Sequence, residues 1–139
     1  MSMMASAVKT DILVVRSGKR ADAIEITERV QHVVHESGIG TGLCQVYVPH
    51  TTAGVFINEN ADPDALSDIL STLEALVPWD NGYRHAEGNA AAHIKATLVG
   101  TSQSVPVRNG RLALGRWQGI YFADFDGPRE RHVQVTVIA

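Results

Sequence analysis

A regular alternation of apolar and polar residues near the C-terminus is the feature that most constrains the fold of this chain. Val133, Val135 and Val137 alternate with Gln134 and Thr136, which is typical of a β-strand with one buried face. The connections between the predicted elements are short, which favours antiparallel neighbours in the sheet. The predicted strands cover 8–16, 23–26, 42–49, 53–58, 104–108, 111–124 and 131–138.

Three helices are predicted between these strands. The first covers 28–37, with Thr27 as its N-cap residue. The second opens at Asp62 and Pro63, and the third covers 90–99. The second helix carries one apolar face, formed by Leu66, Ile69, Leu70, Leu73 and Leu76. Together, the helices and the mainly antiparallel sheet predict an α+β fold.

Composition narrows the class of protein. With 139 residues, 45% of them hydrophobic, the chain suits a single domain, 1–139, in which residues 1–7 are expected to be flexible. The net charge of −3 gives no general attraction to nucleic acid or to an anionic membrane, and no apolar run is long enough to cross a membrane. The single cysteine, Cys44, lies in an apolar run that favours a buried thiol, and the cytoplasm is the expected location.

The segment 85–93 concentrates side chains that bind ions or move protons. It contains the imidazoles of His85 and His93, the carboxylate of Glu87 and the carboxamide of Asn89. Asn89 is a favoured N-cap residue, and the N-terminus of a helix attracts anions. The segment therefore predicts a binding site for an anion or a metal ion at the start of the third helix.

A second candidate is His50-Thr51-Thr52, which lies between two predicted strands. Hydroxyl groups and an imidazole can bind phosphate oxygens, and the imidazole can also bind a metal ion. The alternative is a turn in which the threonines satisfy their own backbone. Both interpretations remain open for these three residues.

A third candidate is the segment around Asp126-Gly127, a pair that strongly predicts a β-hairpin joining 117–125 to 131–138. Arg129 and Arg131 follow it and could instead form a bidentate phosphate clamp.

Considered together, these motifs resemble the YjbQ family. The resemblance covers residues 10–139, with the motifs in the same order and at similar separations. It rests on His50-Thr51-Thr52-Ala53-Gly54, Asn58-Glu59-Asn60, the block from His85 to His93, Leu114-Gly115-Arg116-Trp117-Gln118 and Phe125-Asp126-Gly127-Pro128-Arg129. The chain departs from the pattern at Arg116, where a small residue, often threonine, is expected before the tryptophan.

The resemblance implies a mostly antiparallel pseudo-barrel or sandwich with packed helices, assembled as a homotrimer. It also implies a secondary thiamine-phosphate synthase activity, in which a pyrimidine diphosphate and a thiazole phosphate are joined and pyrophosphate is released. Such a reaction needs groups that stabilise a departing polyphosphate, such as Mg²⁺, arginine or helix N-terminal amides.

The working hypothesis is one pocket for a phosphorylated small molecule or inorganic phosphate. Its catalytic candidates are His50, His85, Glu87 and His93, and its ligand-binding candidates are Thr51, Thr52, Asn89, Lys95 and Arg129. Two alternatives stay open. His50, His85 and His93 could hold Zn²⁺ in a metal-dependent hydrolase, or the chain could be a trimeric metabolite-binding protein without turnover. The expected cofactor is accordingly Mg²⁺ or Zn²⁺.

Overall fold

The computed structural model describes residues 7–139. Residues 1–7 are expected to be flexible, and 1–6 of them lie outside the described residues. Eight strands and three helices follow one another along this part of the chain. In order, they are β1 (Val8–Arg16), β2 (Asp22–Glu25), α1 (Thr27–Ser37), β3 (Gly42–Tyr47), β4 (Ala53–Glu59), α2 (Pro63–Leu76), α3 (Ala90–Val99), β5 (Ser102–Arg108), β6 (Arg111–Leu112), β7 (Gln118–Asp124) and β8 (Glu130–Ile138).

The strands form two antiparallel sheets. The larger has five strands in the order β1-β8-β3-β5-β6, and the smaller has three in the order β2-β7-β4. The alternation in β8 has the predicted effect, because Val133, Val135 and Val137 are fully buried. One apolar cluster joins inward side chains of both sheets and of α1. The predicted α+β, mostly antiparallel fold is confirmed.

Cys44 lies in the middle of the larger sheet. It is fully buried and pairs in register with Val105 on β5 and Val137 on β8. Burial among these apolar neighbours raises the pKa of its thiol from 9.0 to about 11, because the thiolate would lose its hydration. The expectation of a buried structural thiol is confirmed.

The first helix forms where predicted, but its N-cap does not. α1 packs Val30, Val33 and Val34 against the core. The hydroxyl of Thr27 makes no capping bond within the helix. It accepts a hydrogen bond from the amide of Ile120 at 2.8 Å and donates one to Glu25 at 2.9 Å. Contacts with neighbouring strands therefore take the place of the predicted cap.

The second helix begins as predicted, and its apolar face is only partly covered. The carboxylate of Asp62 accepts a hydrogen bond from the amide of Asp64 at 2.9 Å, with Pro63 in the first helical position. No residue of α2 is fully buried, and Leu76 remains 69% exposed. A polar contact helps to dock this helix, because Glu74 forms an ion pair with Lys95 of α3.

The segment around Asp126-Gly127 is not a hairpin, so that prediction was wrong. β7 belongs to the smaller sheet and β8 to the larger, so the chain crosses between sheets here. Gly127 lies against Ser17 and the carbonyl of Lys19, and a Cβ at this position would overlap both. The glycine therefore serves close packing against the turn after β1 rather than a hairpin turn.

No helix within residues 7–139 is long and apolar enough to span a membrane.

Candidate functional site

Three connecting segments and the start of α3 meet at one pocket of about 370 Å³. The β3–β4 connection and the segment before α3 contribute two walls, and the β7–β8 crossing contributes a third. The pocket contains every site residue predicted from the sequence except Lys95. Its lining is Pro49, His50, Thr51, Thr52, His85, Glu87, Asn89, His93, Asp126, Arg129 and Arg131.

Lys95 is placed elsewhere, and its predicted role as a ligand-binding residue does not match this position. Its side chain is fully buried on α3 and pairs with Glu74 of α2. Residues two apart on a helix point about 200° away from each other. Since His93 faces the pocket, Lys95 faces the opposite side, where it joins two helices.

The floor of the pocket is a buried ion pair between Arg131 and Asp124. The arginine donates to the two carboxylate oxygens at 2.8 and 3.0 Å, and to the hydroxyl of Thr52 at 2.7 Å. Ser17 donates to the same carboxylate at 2.6 Å. The carboxylate of Asp124 neutralises the charge of Arg131. Arg131 therefore holds the floor in place and is not the second half of a phosphate clamp.

The protonation of Asp124 follows from these contacts. Burial alone would raise the pKa of its carboxyl group, but hydrogen bonds from Arg131, Ser17 and the amide of Asp126 outweigh it. The pKa of Asp124 therefore lies below its ordinary value, and the ion pair is fully charged at neutral pH.

Arg129 is held at the rim of the pocket. Its Nε donates to the carbonyl of Asp126 at 2.7 Å, and one terminal nitrogen donates to the Asp126 carboxylate at 2.9 Å. A guanidinium has five N–H donors, so two of them fix the orientation while the others can reach a ligand. The side chain is 54% exposed, which leaves it accessible from solvent.

The imidazoles of His85 and His93 are close neighbours. Their ring centroids lie 5.0 Å apart in an edge-to-face arrangement, and Nε2 of His85 lies 4.0 Å from the carboxylate of Glu87. This places two imidazoles and one carboxylate where they can exchange protons with a bound molecule.

The third pocket histidine, His50, is committed to one tautomer. Its Nε2 accepts a hydrogen bond from the amide of His132 at 2.9 Å, so the proton of the neutral ring is on Nδ1. Burial, and then the nearby charge of Arg131, lower the pKa of His50 from 6.5. His50 is therefore suited to donate a hydrogen bond from Nδ1 while it stays uncharged at neutral pH.

Asn89 occupies the predicted N-cap position without capping α3. Its Nδ2 instead donates to the carboxylate of Asp126 at 2.8 Å. Within residues 7–139, two buried side-chain polar atoms lack a hydrogen-bond partner, Oδ1 of Asn89 and Nε2 of His93. Both belong to this pocket, and leaving buried polar atoms unpaired is costly.

Among residues 7–139, no three His, Cys, Asp or Glu side chains are grouped so that they could share one metal ion. His50, His85 and His93 line one pocket, but they are not arranged as a preformed three-histidine metal site.

Comparison with known proteins agrees with this fold and with the order of the motifs. The sequence model described as "UPF0047 protein YjbQ-like" matches residues 11–139. This chain belongs to the YjbQ family. The YugU protein of Bacillus subtilis, a YjbQ-family relative, is 52% identical over 127 residues, 91% of this chain and 96% of that protein. The MJ1081 protein of Methanocaldococcus jannaschii is 46% identical over 124 residues, 89% and 90% of the two chains.

Solved structures of the YjbQ family superpose closely on this chain. A family protein from Clostridium acetobutylicum is 49% identical with a TM-score of 0.91, over 92% of this chain and 99% of that one. A YjbQ-like protein from Sulfolobus solfataricus is 33% identical with a TM-score of 0.94, over 97% and 99%. These solved structures of relatives therefore support the fold that the resemblance implies.

Sequence reasoning missed the residues that hold the YjbQ-like pocket together. Ser17 lies outside every candidate site segment, yet its hydroxyl donates a hydrogen bond to Asp124, which lies 107 positions away along the chain. Asp126 was interpreted as a hairpin residue, yet it orients both Asn89 and Arg129. The sequence offers no periodic signal for such contacts, because crossings between sheets bring distant positions together.

Proposed function

We propose that this pocket binds the phosphoryl group of a small phosphorylated metabolite. The observation that carries the proposal is the pair of unpartnered buried atoms, Oδ1 of Asn89 and Nε2 of His93, in the pocket that also contains Arg129. A phosphoryl group can accept a hydrogen bond from an imidazole N–H and, when it carries a proton, donate one to a carboxamide oxygen.

The charge around the pocket supports an anion of this kind. Arg129 keeps uncommitted donors at the rim, and the first amides of α3 point out of a helix without a side-chain cap in the described chain. Glu87 and Asp126 oppose this attraction. Directed hydrogen bonds, rather than net charge, therefore provide most of the recognition.

The reaction we propose is the transfer implied by the family resemblance. A carbon–oxygen bond of a pyrimidine diphosphate breaks, a thiazole nitrogen forms the new bond to that carbon, and pyrophosphate leaves. Arg129 and the α3 amides would stabilise the departing charge, and His85, His93 and His50 would donate hydrogen bonds to its oxygens. A divalent ion brought by the diphosphate would add further stabilisation, with Glu87 as the pocket carboxylate able to ligate it.

Phosphate binding is tested by titration calorimetry with inorganic phosphate and pyrophosphate. Replacement of His93 or Arg129 by alanine removes a directed donor, so we expect affinity to fall by about tenfold or more. His35→Ala on α1 and Arg108→Ala on β5 remove the same groups from exposed positions outside the pocket and should leave it unchanged. Equal affinity in wild type, His93→Ala and Arg129→Ala would refute the phosphate site.

Transfer is tested separately, by measuring pyrophosphate release with each thiamine precursor alone and with both together. Release that requires both precursors, and that His93→Ala abolishes, supports the synthase. Phosphate binding without any release would instead identify a metabolite-binding protein and overturn the transferase part of the proposal.

A further inference from the structure

The segment that joins α2 to α3 carries two pocket side chains but is exposed along its length. We call residues 78–88 the α2–α3 loop. Val77 and Asn89, which flank the loop, are each 8% exposed, whereas no residue between them is buried. His85 and Glu87 lie in the loop and line the pocket. The loop is therefore fixed at both ends and free along the stretch that reaches the pocket.

The backbone of the α2–α3 loop is not tied to either sheet. The hydrogen bonds of the loop are internal. The amide of Gly88 donates to the carbonyl of His85 at 3.2 Å, and the hydroxyl of Tyr83 donates to the carbonyl of Pro78 at 2.7 Å. In the described part of the chain, no backbone hydrogen bond joins the loop to another element or connection. A segment held in this way can change position at a low cost in free energy.

One aromatic side chain anchors the first part of the α2–α3 loop. The ring of Trp79 packs against a second apolar cluster that includes Ala96 and Phe125. The guanidinium of Arg20 lies 4.3 Å from the centre of the same ring. Beyond Trp79, no side chain of the loop belongs to either apolar cluster of the described residues. The part of the loop that carries the pocket residues therefore lacks a comparable anchor.

Two glycines bound this unanchored part. Gly82 and Gly88 have φ angles of +67° and +78°, in the left-handed region that favours glycine. A Cβ at either position would meet no atom within 4 Å, so close packing does not require a glycine there. The residues between them, which include His85 and Glu87, can therefore rotate together about two flexible positions.

We propose that the α2–α3 loop is a lid that closes over a bound phosphoryl group by rotation at Gly82 and Gly88. This inference rests on the proposed phosphate site and adds a conformational step to it. The side chains of His85 and Glu87 are 43% and 75% exposed although they line the pocket, so closure can bury them further. His85 lies beside His93, whose Nε2 lacks a partner. Closure brings both imidazoles to the phosphoryl oxygens and excludes water from them.

Limited digestion with trypsin tests the lid in the unmodified protein. Arg84 lies between the two glycines, and Arg116 lies in the connection between β6 and β7. Both residues are exposed and neither lines the pocket. Saturating inorganic phosphate should slow cleavage after Arg84 by about fivefold or more, because the closed loop fits the protease less readily. Cleavage after Arg116 should keep its rate. Mass spectrometry of the fragments separates the two sites, and equal slowing at both would overturn the lid in favour of general stabilisation.

Gly82→Ala is the complementary variant, because alanine strains a backbone with positive φ and stiffens the hinge. It should bind phosphate in titration calorimetry but lose at least about half of the protection at Arg84. Gly110→Ala introduces the same strain in the β5–β6 turn, at a φ of +72° and with no atom within 4 Å of the added Cβ. It should keep full protection, and thermal melting verifies that both variants fold.

The outcomes separate the lid from the phosphate site. If calorimetry shows phosphate binding to the wild type but Arg84 is not protected, the lid is overturned and the phosphate site stands. Full protection in Gly82→Ala would overturn the hinge at that residue. If phosphate does not bind to the wild type, the lid and the proposed function fail together.

Discussion

Asp124, beneath the pocket, holds Arg131 in place and so controls the shape of the pocket floor. Both side chains are buried and paired at 2.8 Å. Asp124→Asn would leave the guanidinium without its counter-charge, so we expect a loss of roughly 3–5 kcal/mol in the free energy of unfolding. Urea denaturation at neutral pH measures it. Glu130→Gln, which alters a half-exposed ion pair with Arg16, should cost far less, and equal costs would contradict the assignment of Asp124 to the floor.

His50 gives a prediction for pH dependence at the same scale. Its folded pKa is lowered from 6.5 by burial and then by Arg131, so the unfolded chain takes up a proton first as the pH falls. The contribution to stability is complete above about pH 6.5 and decreases below it. His50→Gln keeps an acceptor for the His132 amide without titrating. Between about pH 8 and about pH 5.5 it should lose less stability in urea denaturation than the wild type, and identical slopes would argue against the assignment.

At the level of elements, the contact between β4 and α3 determines where His93 and Asn89 lie. A Cβ on Gly54 would come within 2.5 Å of the carbonyl oxygen of Gly100, at the end of α3. Gly54→Ala should therefore displace that helix and lower the free energy of unfolding by about 1–3 kcal/mol, with weaker phosphate binding. Gly40→Ala, at a position with open space around it, is the control. Melting temperature and phosphate affinity measure both effects, and unchanged values in Gly54→Ala would show that the helix adapts.

The elements also show what the sequence could and could not predict. Local signals located most helices and strands, because capping and alternation act within a few residues; Asp62 caps α2 as expected. The hypothesis that segments 85–93 and 50–52 meet in one pocket agrees with the structure. The β7–β8 crossing was misjudged, because Asp126-Gly127 has the local chemistry of a hairpin while the pairing of its flanking strands is a tertiary property. Lys95 was misplaced because residue type alone does not reveal which helix face meets α2.

For the whole molecule, the outer face of the five-stranded sheet exposes several large apolar side chains. Val8, Leu43 and Ile138 form one cross-strand row, and Ile12 and Tyr47 lie on either side of Gln134 in another. These five side chains are between 41% and 58% exposed. A polar row of Thr10, Thr136 and Gln45 lies between these two rows. Protein interfaces combine large apolar side chains with polar ones in this way, and the family resemblance implies a homotrimer. We therefore expect copies of the chain to associate through this face.

Light scattering coupled to size-exclusion chromatography tests this expectation. Ile12→Lys places a charge in the centre of the face and should shift the protein to monomers. Leu98→Lys, a similarly exposed position on α3, should leave the assembly intact. If Leu98→Lys gave monomers and Ile12→Lys did not, the interface would lie on the helices instead. Tyr47 belongs to this face and also lines a cleft of about 560 Å³ beside the pocket. Association would therefore bring a second copy to the rim of that cleft.

Cys44 gives the molecule a natural reporter of its own opening. It is the one cysteine of the sequence, and its thiol is shielded in the sheet and hard to ionise. A thiol-reactive dye can therefore modify the chain only when the strands beside Cys44 separate. The rate of labelling therefore measures how often these strands separate, and no engineered probe is needed. A ligand that stabilises the folded state should slow the labelling in proportion to its occupancy.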